Sequence, residues 1–387
     1  MTFDYVVLIH RIYSDGNVKK GGLDLIIDFL AAKDKRILLV EFPLDYKQSK
    51  QIRISMFRDN TQKVLEISRM PFYIPVVVWG LEFLLTLTAI FRYGATGTTV
   101  ITSDPLTSLP AVLMRKSGMF KFHYYHSVDY STDRFKNKLL NNIYVKLLKN
   151  GIKNADLVGF VSHSAIEILS KFGAKKTMFI PNSMDFHSLD KYRKPLDKRN
   201  KYSLVLTCSE VSHKYLVKEL VELVNKLKTD FPTITFNVLG RITSDDPYYS
   251  NLLKYVKDNN LSENVIFHGQ VDRETNYNIL SSSYIGLAFY DGLHSHVKFG
   301  DALKIREYSA LGLPTVGDSH TYTAVEMNDS HAGFTVTNFD EAFSRIFEIF
   351  NDVTLCQTLV QNALKLGKKY DKKVILEKLY NQYLKSN

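Results

Sequence analysis

The stretch of sequence that decides the fold is residues 304–316, KIREYSALGLPTV. Lys304 and Glu307 stand three residues apart in it, so on a helix they share one face and can contact one ligand together. Gly312 ends the helix, and a short apolar strand begins at Thr315. A helix followed by a buried parallel strand indicates an open α/β sheet, which binds ligands at the carboxyl ends of its strands.

The chemistry of this pair suits a nucleotide. An ammonium group at Lys304 is suited to a phosphate, and a carboxylate at Glu307 is suited to ribose hydroxyl groups. The alternative is a salt bridge on the surface of an ordinary amphipathic helix, which contributes little to stability. The pair alone does not decide between these two interpretations.

Short apolar runs alternate with helical patterns along the chain, as they do in βαβ units with parallel sheets. The polar stretch 190–201, DKYRKPLDKRNK, lacks periodicity and holds a proline, so it is predicted to be a linker between domains 1–189 and 202–368. Residues 369–387 are predicted to form a terminal amphipathic helix. The predicted strands are 5–9, 37–40, 99–101, 120–125, 157–161, 177–180, 203–207, 234–238, 264–267, 284–288 and 314–316.

Composition limits the class of protein. The 387 residues, 45% of them hydrophobic, suffice for two domains with separate cores. The net charge of +10 suits anionic partners, but lysines and arginines are not grouped with aromatic residues as in RNA-binding motifs, which argues against nucleic acid. Cys208 and Cys356 form no disulfide framework, and the start MTFDYVVLIH is typical of a first strand, so a cytoplasmic location is expected.

Glycines and cations after predicted strands mark candidate ligand contacts. Lys214 precedes a helix start, and a helix N-terminus with a nearby lysine can bind an anion. Gly240 lets the backbone approach a ligand closely, and Arg241 can donate two hydrogen bonds to a phosphate. The alternative for each cation is an ordinary solvated surface charge.

Gly21 and Gly22 precede the helical pattern LDLIIDFLAA, where they let the chain bend sharply and approach a ligand at the helix start. The spacing of a dinucleotide fingerprint, G-x-G-x-x-G, is absent from this part of the sequence. A dehydrogenase is therefore not expected.

The Lys-x-x-Glu-Tyr and Ala-x-Gly-x-Pro patterns in residues 304–314 resemble the donor-site helix of bacterial glycosyltransferases of the GT-B fold, group 1. Further segments resemble the same family in the same order and span nearly the whole chain. They are the glycine loop KKGGLD (19–24), the turn TSDP (102–105), the strand end YYHSVDY (124–130), the domain boundary MFIPNSMD (178–185) and the glycine turn LGR (239–241).

This resemblance implies an α/β protein of GT-B architecture, with two Rossmann-like, doubly wound parallel-sheet domains facing a cleft. The first domain would bind the acceptor and the second the nucleotide sugar, and the terminal helix would cross back to the first domain. The expected donor-binding residues are Lys214, Gly240, Arg241, Lys304, Glu307, Gly21 and Gly22.

The activity implied is transfer of a sugar from a nucleotide diphosphate sugar to a glycan or lipid-linked glycan acceptor in surface polysaccharide assembly. Uridine is the commonest base in such donors. No cofactor is expected. Two alternatives are a sugar-nucleotide epimerase on the same fold and a non-catalytic component that binds sugar nucleotides in a polysaccharide assembly complex.

The chain departs from the family at one position. Many relatives carry a second glutamate eight residues before Glu307, where this chain has Phe299. A lysine at 304 within that window is similar to the exopolysaccharide glucuronosyltransferases. His294 and His296 lie in the preceding loop, and without neighbouring cysteines or a repeated histidine spacing we interpret them as polar loop groups, so no metal is expected.

An inverting transferase needs a general base, because the acceptor hydroxyl loses its proton as it attacks the anomeric carbon. Asp129 is the first candidate, since related inverting enzymes carry an aspartate there. His126 is the competitor, because retaining relatives often have a histidine at this strand end that contacts the donor sugar. Asp129 could instead cap the following helix, and Asp15 is a more remote candidate base.

The segment 70–94 is the longest apolar stretch. Glu82 near its middle argues against a membrane-spanning helix, so a buried helix of the first domain is expected. Arg69, Trp79 and Arg92 around this apolar body would also suit peripheral docking on an anionic inner membrane surface.

Overall fold

The structure, a computed structural model, describes residues 3–14, 17–19, 21–70, 74–128, 130, 134–135, 137–293 and 295–385. The chain divides into two compact units. Unit 1 comprises Met1–Pro181 and Leu376–Asn387, and unit 2 comprises Asn182–Ile375.

Unit 1 is built around a sheet in the order β5-β4-β3-β1-β6-β7-β8-β9, with β2 paired to β1. Its strands are β1 (Tyr5–Ser14), β2 (Asn17–Lys19), β3 (Ile37–Pro43), β4 (Gln51–Arg58), β5 (Thr61–Arg69), β6 (Thr98–Thr102), β7 (Phe120–Ser127), β8 (Leu157–Phe160) and β9 (Thr177–Phe179). Its α-helices are α1 (Gly22–Ala31), α2 (Pro75–Arg92), α3 (Pro105–Lys116), α4 (Lys138–Asn154) and α5 (His163–Leu169).

The strands β3, β1, β6, β7, β8 and β9 run parallel and carry the core of unit 1. Val6, Val7 and Leu8 of β1 are fully buried. A parallel strand covered on both faces is apolar without alternation. This explains why each of these strands could be predicted from a short apolar run.

The hairpin of β4 and β5 was not predicted. The two strands pair antiparallel at the edge of the sheet, and β5 is largely exposed, so polar and apolar residues are mixed in it. The turn consists of Asp59 and Asn60, whose φ angles of 52° and 56° are both left-handed. This geometry is typical of a two-residue hairpin turn, and the Asp-Asn pair was the available signal.

Unit 2 has a parallel sheet in the order β12-β11-β10-β13-β14-β15. Its strands are β10 (Ser203–Glu210), β11 (Thr235–Arg241), β12 (Val265–Gly269), β13 (Ile285–Ala288), β14 (Thr315–Gly317) and β15 (Gly333–Thr335), of which the last was not predicted. Its α-helices are α6 (Val217–Leu227), α7 (Pro247–Asp258), α8 (Arg273–Ser282), α9 (Ser295–Phe299), α10 (Leu303–Leu311), α11 (Tyr322–Asp329), α12 (Phe339–Asn351) and α13 (Val353–Lys369). The strand order reverses at β10, and such a switch point is where open α/β sheets bind ligands.

The predicted linker 190–201 differs from the observed division, because it lies inside unit 2. Arg193 donates to the Ala310 carbonyl at 2.8 Å, and Arg199 donates to the Gly312 carbonyl at 2.8 Å. These carbonyls are at the end of α10, where helix geometry leaves them without partners within the helix. The polar stretch therefore caps a helix of unit 2.

The last helix, α14 (Lys372–Leu379), is followed by a π-helical turn, Tyr380–Leu384. Within unit 1 the Leu384 carbonyl accepts a hydrogen bond from the Tyr5 hydroxyl at 2.8 Å. Among the described residues, no helix combines the length and the apolar character needed to cross a membrane.

Candidate active site

The candidate site of unit 2 lies at the carboxyl ends of β10, β11 and β13, beside the start of α10. Lys304 is its central residue. The side chain is buried, with 7% of the residue exposed, and its Nζ has no hydrogen-bond partner among the described residues. A buried ammonium without a partner is costly, so this position is suited to receive an anion.

Two aromatic rings surround the Lys304 ammonium. Nζ lies 4.3 Å from the ring centroid of Tyr215 and 4.7 Å from that of Tyr290. Cation–π contacts of this kind offset part of the lost hydration. Burial lowers the pKa of Lys304 to about 8, although Cys208 and Asp318 act in the opposite direction. The residue is therefore a cation at neutral pH that loses its charge in mildly alkaline solution.

Tyr308, one turn after Lys304, fixes α10 on the sheet. Its hydroxyl accepts from the Thr207 backbone N–H at 2.9 Å and lies 3.1 Å from the Thr207 hydroxyl. Its ring packs so closely on Gly286 of β13 that a Cβ there would lie 2.5 Å from the ring. The glycine therefore sets how closely α10 approaches the sheet.

Arg306 secures the other side of α10 in a buried ionic network. Its Nε donates to Asp301 at 3.0 Å, and its NH1 group donates to Glu326 at 2.8 Å. Asp301 also accepts from the backbone N–H of Asn182 at 2.6 Å. Although burial opposes it, Arg306 holds the pKa of Glu326 below its ordinary value. Asn182, the first residue of unit 2, is thereby tied to the start of the Lys304 helix.

Glu307 lies beside Lys304, as the spacing predicted. The residue is half-buried, and burial raises its pKa to about 7, while Arg273 and Lys304 act in the opposite direction. Near neutral pH the carboxyl group is present in both protonation states. Either state can hydrogen-bond to a sugar hydroxyl.

Lys214 and the start of α6 lie at the same edge of the sheet. Lys214 is half-buried, its Nζ lies 5.5 Å from the Tyr215 ring, and its charge contributes to the lowered pKa of Lys304. The N-cap residue of α6 is Leu216, which has a left-handed φ of 51° and offers no side-chain oxygen. The structure thus brings Lys214, Lys304 and a helix start together.

Gly240 and Arg241 end β11 at this edge. A Cβ on Gly240 would lie 2.5 Å from Cys208 Sγ and 2.7 Å from the Cys208 carbonyl oxygen, so packing of β11 on β10 already requires the glycine. Arg241 is exposed and donates to Glu210 at 3.1 Å, and Thr243 donates to the other oxygen of Glu210 at 2.9 Å. A phosphate would therefore compete with Glu210 for Arg241.

Asp318, which the sequence analysis did not single out, completes the charge arrangement. It follows β14, accepts a hydrogen bond from the Tyr290 backbone N–H, and accepts another from the His320 backbone N–H at 2.8 Å. Burial raises its pKa, and its charge opposes the lowering of the Lys304 pKa. A polar residue directly after a buried strand was the available signal.

Gly21 and Gly22 belong to unit 1, where they line a cavity of about 140 Å³ at the carboxyl ends of β1, β6 and β7. Gly21 donates its backbone N–H to Asp24 at 2.6 Å. Other polar and aromatic residues that line this cavity are His10, Arg11, Asp104, Tyr125, Arg134 and Tyr144.

His10, which follows the predicted first strand, was also missed. Its Nδ1 lies 3.0 Å from Asp104 and its Nε2 lies 3.2 Å from Glu82, which accepts from the Tyr46 hydroxyl at 2.6 Å. Although burial opposes it, the two carboxylates raise the pKa of His10 to about 10. Asp104 in turn has a lowered pKa, so the cavity wall contains a fixed ion pair at neutral pH.

His126 is buried near the end of β7 and lies with its Nδ1 2.8 Å from the Tyr124 hydroxyl. Burial lowers its pKa to about 4, so the ring is neutral at physiological pH. The candidate bases Asp129 and Asp15 lie outside the described residues, as do His294 and the side chain of His296. Within the described part of the chain, no group of three His, Cys, Asp or Glu side chains could hold a metal ion.

Comparisons with known proteins agree with this geometry. Residues 189–366 match the family model described as glycosyl transferases group 1. Sucrose-phosphate synthase from Thermosynechococcus elongatus superposes with a TM-score of 0.71 at 16% identity, over 99% of this chain and 100% of that chain. Anabaena HepE, solved in complex with UDP and glucose, gives a TM-score of 0.69 at 16% identity, over 98% of each chain.

A third structure is the UDP-forming trehalose-phosphate synthase from Burkholderia xenovorans, in complex with glucose-6-phosphate. Its TM-score is 0.70 at 11% identity, over 98% of this chain and 99% of that chain. No curated protein sequence matches this chain significantly.

The two α/β units and their likeness to these structures define a protein of the GT-B fold, which confirms the predicted architecture of two Rossmann-like domains. Residues 189–366, which match the family of group 1 glycosyl transferases, lie within unit 2, where the Lys304 site is found. The prediction of a transferase enzyme is thereby confirmed.

Proposed function

We propose that this glycosyltransferase moves a sugar from a UDP-sugar to a glycan or lipid-linked glycan acceptor in surface polysaccharide assembly, in the cytoplasm at the inner face of the membrane. The observation that supports binding of a nucleotide-sugar donor is the buried Lys304 ammonium, which has no hydrogen-bond partner among the described residues. UDP is named with two of the similar structures, which supports uridine as the base.

Three cations would hold the donor diphosphate. Lys304 and Lys214 would contact the phosphates. Arg241 would release its hydrogen bond to Glu210 and donate to a phosphate oxygen instead. Glu307 would hydrogen-bond to the ribose hydroxyl groups. As the bond between the anomeric carbon and the diphosphate oxygen breaks, the electron pair leaves with the diphosphate. Fixed cations stabilise the charge that develops there, so we expect the enzyme to need no metal.

Unit 1 would hold the acceptor in its cavity, where Tyr125 and Tyr144 offer ring surfaces and Arg134 offers hydrogen-bond donors, while Gly21 and Gly22 in the cavity wall would approach the donor. The acceptor hydroxyl attacks the anomeric carbon and gives its proton to Asp129. A histidine with a pKa of about 4 is a weak base at neutral pH. We therefore give His126 a hydrogen-bonding role toward the sugar.

The test is a panel of nucleotide sugars with crude glycolipid acceptors, followed by UDP release and by labelled product. We expect acceptor-dependent release from a UDP-sugar by the native chain. Lys304→Met should lower kcat/KM by at least about a hundredfold, since a buried charge contact to phosphate is lost. Asp129→Asn should abolish transfer while UDP still binds.

Lys254→Met, an exposed lysine of α7, is the matched control and should leave kcat/KM unchanged. The proposal fails if Lys304→Met and Lys254→Met have equal activity, or if UDP-sugars are consumed equally with and without acceptor. The second outcome would favour an epimerase or a hydrolase.

A further inference from the structure

The net positive charge of this protein comes from unit 1 alone. Unit 1 contains 27 lysines and arginines against 16 aspartates and glutamates, whereas unit 2 contains 23 against 24. The donor site of unit 2 thus lies on a unit of nearly balanced charge. The surplus of positive charge on unit 1 is therefore suited to an extended anionic surface rather than to the donor.

Helix α4 presents a lysine stripe. Its sequence, KLLNNIYVKLLKNGIKN, has no acidic residue. Lys138, Lys146, Lys149 and Lys153 are all exposed, and at 100° per residue they fall within one narrow arc of the helix. Leu139 at the edge of this arc is 70% exposed. A basic helix face with an exposed apolar residue is typical of membrane-surface helices.

Helix α2 presents an apolar stripe. Val77, Leu84 and Phe91 recur at intervals of seven residues and therefore share one face, and they are 43%, 56% and 57% exposed. Gly80 and Thr88 on the same face are also exposed. Exposed apolar side chains that share one face of a helix are typical of interaction surfaces.

The two stripes lie on helices of unit 1 that share a neighbouring helix. Helix α3 packs against both α2 and α4. Trp79 of α2 lies 5.9 Å from Phe135 between ring centroids, and Phe135 lies 5.5 Å from Tyr144 of α4. The apolar stripe and the lysine stripe therefore belong to neighbouring helices that are joined by aromatic contacts.

We propose that α2 and α4 together form a docking surface for a bilayer that contains anionic lipids. The lysines of α4 contact the headgroups, and the apolar stripe of α2 lies at the boundary between headgroups and acyl chains. The combination of an acid-free basic helix and an adjacent apolar helix fits this occupant better than a folded protein partner. The role of this docking surface rests on the proposed function, because docking would hold unit 1 at the membrane that carries a lipid-linked acceptor.

The experiment is vesicle flotation with phosphatidylcholine alone and with phosphatidylglycerol as about half of the lipid. The native chain should bind the anionic vesicles at least about tenfold more tightly than the neutral ones. The double variant Lys138→Glu with Lys146→Glu should lose at least about tenfold in affinity for the anionic vesicles, because each lysine near the surface contributes. Leu84→Gln with Phe91→Gln should weaken binding to them by about tenfold through lost apolar contact.

The matched control is Lys254→Glu with Lys257→Glu on α7 of unit 2, which changes the net charge by the same amount and should bind vesicles like the native chain. The proposal would be overturned if the α4 and α7 double variants lost equal affinity for anionic vesicles. It would also be overturned if the native chain bound both vesicle types equally. UDP affinity and urea unfolding are measured in every variant. Because UDP binding requires no lipid, loss of docking with intact UDP binding is distinguishable from failure of the proposed function.

Discussion

At the scale of single residues, Lys304 combines two properties that rarely occur together. It is a cation at neutral pH, yet it is buried between the rings of Tyr215 and Tyr290 without a hydrogen-bond partner among the described residues. Spacing alone predicted that Lys304 and Glu307 share a face. That the two rings and Asp318 gather around Lys304 was beyond prediction, since three separate segments supply them and only the strand order brings them together.

The lowered pKa of Lys304 predicts the pH dependence of donor binding. Above a pKa of about 8 the free enzyme loses the ammonium, and a diphosphate prefers the charged form. The dissociation constant for UDP should therefore rise from pH 8 upward, by at most about tenfold per pH unit. Isothermal titration calorimetry between pH 7 and pH 9.5 measures this rise.

Lys304→Met is the control for that titration. It should bind UDP more weakly at pH 7 and should not show the alkaline loss. If the native chain and Lys304→Met weakened in parallel above pH 8, another group would be responsible, and Lys304 would not be the phosphate contact.

At the scale of elements, α10 is the part that positions the site. Tyr308 attaches it to β10 and β13, and Arg306 attaches it to Asp301 and Glu326. The helix and its terminating Gly312 could be read from the sequence. The capping of the α10 C-terminus by residues 190–201 could not be read from the sequence, because the same polar residues also suit a solvated linker.

Gly286→Ala tests how α10 is held. The added Cβ would lie 2.5 Å from the Tyr308 ring, so the ring and α10 must shift. We expect a loss of about 1 to 3 kcal/mol in the free energy of unfolding, together with weaker UDP binding. Urea unfolding and calorimetry measure the two effects.

Gly80→Ala on α2 is the matched control, since no atom lies within 4 Å of a Cβ built there. Alanine is the better helix former, so this variant should keep or gain stability and should bind UDP normally. Unchanged UDP affinity in Gly286→Ala, despite lost stability, would show that the site does not depend on the position of α10.

At the scale of the whole molecule, the net positive charge is concentrated in unit 1, whereas each unit has an apolar core of its own. Apart from β15, the parallel strands of both sheets were predictable because full burial leaves nearly continuous apolar runs. The edge hairpin of β4 and β5 was not, because β4 is only partly buried and β5 is largely exposed, so neither strand carries such a run.

The charge division predicts different salt dependences for the two ligands. In the proposed donor site UDP would meet three cations, of which Lys304 is buried and Lys214 half-buried, whereas a vesicle would meet many exposed lysines of unit 1, which salt screens readily. Raising NaCl from about 0.1 to about 0.5 M should weaken vesicle binding at least about tenfold and UDP binding only a few-fold. Flotation and calorimetry at matched ionic strength measure both, and equal salt slopes would contradict this division of roles.

The ion pair between Arg241 and Glu210 has a consequence for turnover. With Thr243 bonded to its second oxygen, Glu210 holds the arginine in a ready-made anionic contact. With Arg241 as a phosphate contact, as proposed, a spent nucleotide would compete with a carboxylate that is always present at high local concentration. The enzyme would give up some affinity for its donor, and in return the carboxylate would recapture the arginine and hasten departure of the product, so that the next catalytic cycle could begin.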